Sequence, residues 1–171
     1  MKAIFIGIVF LAIAGCGGRT PPEAARVHGI AATDAPAIDA CWRKVLTSPQ
    51  HQALRDRMGD HADSPAAAMK SNPAKVTPQE AAQLRSLQQD YLAPCRKMAL
   101  DSATKVHLSV VAILTDSYAR ADANTARLVN REITWGEYVS ENQAIVTHRR
   151  AELLAAGESI QRELQQSPAA R

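Results

Sequence analysis

Ile133-Thr134-Trp135-Gly136-Glu137-Tyr138 is the stretch that decides how this chain folds. Thr134 stands three residues before Glu137, the spacing of a capping box. In that arrangement the threonine hydroxyl accepts from the Glu137 backbone N–H and the carboxylate accepts from the Thr134 N–H. Ile133 and Tyr138 occupy the two positions of a hydrophobic staple, which sets the direction in which the chain enters the next helix. The sequence on either side is rich in Ala, Leu, Arg and Glu, all good helix formers. The hexapeptide therefore reads as a short turn between two long helices, which must lie antiparallel. Downstream, Trp135, Val139, Val146, Leu153, Ile160 and Leu164 form a stripe that predicts a helix over 135–165, about 45 Å long.

Upstream, Thr77-Pro78-Gln79-Glu80 is a second capping box, with the proline where no N–H is needed. It predicts a helix over 79–131 that carries Leu84, Leu87, Tyr91, Cys95 and Met98 on one face. Pro94 should kink that helix, since its ring costs about 3 kcal/mol in a helix interior. Val106–Leu114 is the most apolar stretch beyond the N-terminus and has no second strand to pair with, so it reads as the buried centre of the helix. Further upstream, Asp34 and Pro36 suit a helix start, and Ile38, Cys41, Trp42 and Val45 share a face. Ser48-Pro49 breaks this element, which resumes through Leu54 and Met58 and stops at Gly59. The fold class expected is all-α: a single domain over 36–165, built on a long antiparallel hairpin with a shorter broken helix, 36–58, packed across it. The small polar residues of 59–76 read as a mobile connector, and 166–171 as a disordered tail.

Composition agrees with one helical domain. The chain has 171 residues, 20 Lys+Arg against 17 Asp+Glu and a net charge of +3. With 22% charged residues of mixed sign it is not a wholly disordered chain, and it has no nucleic-acid signature. Hydrophobic residues make up 46% but aromatics only 4%, which with the alanine excess favours helices over a sandwich or barrel.

The N-terminus has its own pattern. Lys2 precedes an apolar run, Ile4 to Ala14, too short to cross a bilayer core of about 30 Å as a helix. The run leads into Ile13-Ala14-Gly15-Cys16, which resembles the lipobox of bacterial lipoprotein precursors. That resemblance implies that 1–15 is a cleaved signal peptide and that Cys16 carries the lipid. The mature chain would be anchored to a membrane without spanning it. It implies export to the periplasm, and Gly17 in place of Asp after the cysteine implies the periplasmic face of the outer membrane. Gly17-Gly18 and Pro21-Pro22 make 16–35 read as a flexible lipidated tether. In an exported chain the remaining pair, Cys41 and Cys95, most simply forms one disulfide. Their separation excludes a Cys-x-x-Cys redox pair, and no histidine stands at zinc-ligand spacing from them.

A second resemblance is shorter. Leu128 to Tyr138 is similar to the C-terminal motif called SHOCT, in which an Ile-Thr turn and an acidic–aromatic pair join two small helices. Glu132 stands where that motif usually has glycine, and its terminal leucine pair falls late, at Leu153-Leu154.

The candidate chemistry is sparse. The hairpin places His148 near Asp116, an acid–base pair in principle, and His107 near Gly157. The two histidines then lie roughly 14 Å apart, too far to share a metal. His28, His51 and His61 fall in the tether or near loops and are expected to be solvated. There is no Gly-x-Ser-x-Gly, no His-Glu-x-x-His and no phosphate-binding glycine loop. The expectation is a protein that is not an enzyme and holds no cofactor or metal. Trp135, Tyr138, Arg149 and Arg150 are its candidate partner contacts. The function expected is a lipid-anchored, non-catalytic binding or scaffolding module of the cell envelope, with an envelope protein as partner and self-association open. The alternative is a carrier for a small apolar ligand or lipid, with Val106–Leu114 lining the cleft.

Overall fold

The computed structural model describes residues 22–58 and 66–166. Cys16, the signal segment, Gly59, His61 and the 167–171 tail lie outside the described residues. The described chain is all-α, and the hairpin and the disulfide are both present. It runs through α1 (Pro22–Thr47), a 3₁₀ turn (Pro49–His51), α2 (Gln52–Met58), α3 (Ala67–Lys70), α4 (Pro78–Ser86), a π turn (Leu87–Leu92), α5 (Ala93–Val106), α6 (Leu108–Val129) and α7 (Trp135–Gln166).

Helix α1 begins at Pro22, so the part of the expected tether from 22 to 35 is helical. The Pro and Gly signals that suggested a coil are outweighed by alanine content and by tertiary anchors. Val27 is buried, and Arg26 donates to the Lys105 carbonyl at 2.7 Å. Asp34 pairs with Lys105 at 2.8 Å, which holds its carboxyl below the usual range, with Ser102 contributing a second hydrogen bond. Pro36, expected in a first turn, sits inside the helix on its exposed side. The α1 helix stops at Ser48, whose extended backbone leads into Pro49. Buried Arg55 closes that end, donating to the carbonyls of Val45 (3.2 Å) and Ser48 (2.6 Å).

The expected 79–131 helix is divided twice. Before Pro94 the backbone widens into the π turn, where the Ala93 N–H reaches back five residues to the Gln88 carbonyl. This makes room for the proline ring without ending the helix. The second division was not expected. His107 is extended (φ −164°, ψ 144°), and its Nδ1 accepts from the Ser109 N–H at 3.1 Å, capping α6 with an imidazole. The chain reverses there, so α5 and α6 lie antiparallel, and Arg96 reaches Asp122 at 2.5 Å. An unbroken helix over 79–131 would be about 80 Å long, with an apolar centre that nothing could cover. Folding back at His107 pairs α5 with α6, yet Val106–Leu114, expected to be a buried centre, stays half-buried or exposed because it lies at the reversal.

The α6–α7 turn follows its sequence closely. At its start Arg131 takes the left-handed conformation (φ 63°). Its N–H bonds to the Leu128 carbonyl and that of Glu132 to the Arg127 carbonyl, both at 2.9 Å, forming a Schellman ending. Thr134 and Glu137 form the capping box, with N···O distances of 2.7 and 3.2 Å, and both staple residues are buried. The Thr77–Glu80 box also forms.

The connector is the other departure. Its described part, 66–76, is docked rather than mobile: Val76 is buried and Met69 packs on the core. Its backbone caps α7, since Trp135 N–H donates to the Ala74 carbonyl and Gly136 N–H to the Asn72 carbonyl, both at 2.9 Å. With Glu137 held by Thr134, every orphan donor of the first α7 turn has a partner. Gly136 is obligatory for this approach, because a Cβ there would stand 2.4 Å from the Lys70 carbonyl oxygen. The core gathers at this end, from Val45, Leu54, Met58, Val76, Leu84, Leu87, Cys95, Leu128, Ile133, Trp135, Tyr138 and Val139.

Candidate functional site

Cys41 and Cys95 are bonded, with Cα atoms 5.6 Å apart, and Cys95 is fully buried. Trp42 packs beside the core, and its indole N–H makes no hydrogen bond within the described chain. His51, expected to be solvated, is instead 3% exposed. It meets Tyr91 edge-on with ring centroids 4.8 Å apart, and its Nε2 lies 3.0 Å from the Gln50 amide, which also bonds the Tyr91 hydroxyl. Burial pushes the imidazole below its ordinary range, and the nearby Arg55 cation adds to the shift. Its Nδ1 is buried without a partner, so the site favours the neutral ring. The ring's lack of exposure makes it a core group held neutral rather than a base offered to a substrate.

A second constellation lies where α5, α6 and α7 meet. The Arg96 guanidinium stands 5.0 Å from the Tyr118 ring centroid and is balanced by Asp122, which also accepts from Gln88. Arg149 enters the same seam from α7. Burial lowers its pKa, partly offset by Tyr118, and burial raises that of the Tyr118 phenol. Ser117 is buried next to Tyr118 with no hydrogen bond to its hydroxyl. Arg149 is half-buried in this seam.

The four candidate contacts separate. Trp135 is fully buried, its ring edge-on to Tyr138 at 5.8 Å and covered by the Arg57 guanidinium 5.6 Å from its centroid. Tyr138 is buried as well, so this pair belongs to the core rather than to a partner face. Their place in the staple explains why: both rings close the turn against α2 and the connector. Arg150 is exposed. Unforeseen from the sequence, Val146 (41% exposed) and Leu154 (49%) stand four residues on either side of it. Four-residue spacing puts the three on one face of α7. The stripe that predicts α7 places Val146 inward, and the structure turns it outward.

The other titratable groups pair locally. His148 Nε2 lies 3.4 Å from Glu152, and Asp116 lies 3.9 Å from Arg120, each within its own helix, so the His148–Asp116 pair does not form. His107 Nε2 is 3.6 Å from Glu163, further along α7 than Gly157. His28 is exposed on α1. Among the described residues no three His, Cys, Asp or Glu side chains are grouped to hold a metal. Two open clefts are present. One of about 410 Å³ is lined by Lys70, Arg127, Ile133, Glu137, Ser140 and Glu141. There the Ser140 hydroxyl donates to the Gly136 carbonyl, and Thr134 holds the Glu137 carboxyl below its usual range. The other, about 200 Å³, lies between α1 and α5 against Asp34, Ile38, Met98 and Lys105. The Val106–Leu114 stretch lines neither. Among the described residues no helix is long and apolar enough to cross a membrane. No family model, curated protein or solved structure matches this chain.

Proposed function

We propose that this chain is a lipid-anchored periplasmic protein of the bacterial outer membrane whose helical bundle is a non-catalytic binding or scaffolding module of the cell envelope. The anchor is the lipid on Cys16, as the lipobox resemblance implies. The observation that carries the binding role is the outward stripe of α7. Val146, Arg150 and Leu154 are exposed at four-residue spacing, while Ile145 on the opposite side is buried. A partner helix or sheet edge with apolar side chains around one carboxylate fits such a surface.

Crosslinking in intact cells followed by mass spectrometry tests the reading, comparing wild type with Cys16→Ser and Arg150→Glu. The expected result is a reproducible envelope protein joined through 146–154, with yield reduced in both variants. A crosslink between copies of this chain through the same stripe would make the partner the protein itself. No protein joined at the stripe, with lipid co-purifying instead, would overturn the scaffold. The second reading, a carrier for an apolar ligand, draws on the Val106–Leu114 stretch, whose apolar residues are half-buried or exposed. On that reading a fatty acid raises the melting temperature of wild type.

A further inference from the structure

Three segments of the chain meet at the end of the bundle farthest from Trp135. Arg26, one turn into α1, donates to the carbonyl of Lys105 in the last turn of α5. The chain then reverses through His107, whose Nε2 faces Glu163 in the last turn of α7. The start of α1, the α5–α6 reversal and the end of α7 thus form one tip. Leu108 leads it at 77% exposure, well above Val146 and Leu154, the other exposed large apolar side chains among the described residues. Val106, Val110 and Val111 flank it in sequence and are half-buried. Leu108 opens α6, a position where a polar side chain would serve the helix as well, and nothing in the described fold uses it.

What covers it follows from where the chain leaves the structure. Pro22 begins α1 six residues after Cys16, and six residues span at most about 20 Å. A lipid on Cys16 therefore keeps this end of the bundle, and not the Trp135 end, against the bilayer surface. Arg26 and Lys105 are paired with Glu23 and Asp34, so the tip offers apolar contact rather than a free cationic patch. We infer that the α5–α6 tip, led by Leu108, rests in the surface layer of the membrane that holds Cys16. The bundle then stands end-on, with its packed end pointing away. This rests on the anchored reading above. It goes beyond that reading by assigning a phospholipid contact to the folded domain itself.

The test uses the full mature chain acylated at Cys16, in vesicles of phosphatidylethanolamine and phosphatidylglycerol. A nitroxide is placed at Leu108→Cys, at Ala112→Cys one turn along α6, or at Ala126→Cys near the other end of α6. The expected result is an oxygen-to-nickel accessibility ratio several-fold higher at 108 and 112 than at 126. Adding Leu108→Asp to the Ala112 label should return it to the value at 126, which a label inserting by its own greasiness would not do. An anchored chain with equal ratios at all three sites overturns the tip contact and leaves the anchor standing. Unchanged protection at 112 in the presence of Leu108→Asp overturns the role of Leu108. A mature chain that carries no lipid on Cys16 overturns the anchor, and the inference with it.

Discussion

The two halves of α6 reverse the usual relation between apolar character and burial. Leu108 to Leu114 is the most apolar run of the described chain, yet none of its residues is fully buried. The second half is more polar, and there Ser117, Tyr118, Asn124, Thr125 and Leu128 are all buried. Helix α7 repeats the contrast, with Trp135, Tyr138, Val139 and Ile145 inside and, among the described residues, none buried beyond 145. The difference lies in the neighbours. At the turn end α2, α3, the docked connector and α4 wrap the α6–α7 hairpin. At the other end, among the described residues, α1 and α5 stand nearby. Burial in this protein is set by what the chain brings alongside, and local hydrophobicity does not predict it.

Substitutions at the two ends should therefore differ sharply. Trp135→Ala is expected to cost about 3–5 kcal/mol in chemical unfolding, whereas Leu108→Ala should stay within about 0.5 kcal/mol of wild type. Similar losses at both positions would mean that the open end is covered in solution. The glycines of α7 give the same contrast with one methyl group. Gly136→Ala must push the connector off the helix start, and should cost about 3 kcal/mol through lost backbone hydrogen bonds and packing. Gly157→Ala meets nothing within 4 Å and should stabilise by about 0.5–1 kcal/mol.

The disulfide joins α1 to the packed end, so Cys41→Ser should lower stability by about 2–4 kcal/mol under oxidising conditions. In strong reductant it should match the wild type, and an equal loss in both media would show that the cysteine matters for packing alone. His51 gives the packed end a pH dependence. Its folded pKa lies below the ordinary value of 6.5, so on acidification the unfolded chain takes up the proton first. Its contribution is present above that value and is lost as the pH falls through the window below it. Thermal melts from pH 7 to pH 5 should fall more steeply for wild type than for His51→Gln, and parallel curves would contradict a buried neutral ring. Smallest of all, Arg131→Gly should raise stability by up to about 1 kcal/mol, because glycine alone takes the left-handed conformation without cost.

What the sequence made legible was local. Both capping boxes, the staple, the stop at Ser48-Pro49 and the distortion before Pro94 depend on residues within a few positions of one another. The features that were not legible depend on distant partners. Nothing around His107 resembles a helix stop, since neither Gly nor Pro is near, and its ring caps α6 only once α5 and α6 can pair. The 66–76 segment is polar and rich in small residues, and looks like a free loop until its carbonyls meet the start of α7. The first half of α1 is held by Lys105, far along the chain. Of the candidate site, the cysteine pair was readable from the sequence. The outward faces of Val146 and Leu154 required knowing which side of α7 the core occupies.

The Cys41–Cys95 bond has a mechanical consequence whenever the two ends of the chain are pulled apart. Tension applied between the two ends of the chain enters α1 and crosses from residue 41 to residue 95 through the bond. The span between them, with α2, α3, α4 and the connector, lies off the path of the force. Pulling can peel α1 as far as Cys41 from one side and unravel α7 from the other. It cannot lengthen the looped span, which supplies Leu54, Met58, Val76, Leu84 and Leu87 to the core. The crosslink thus acts as a stop that limits how far the domain can be drawn out.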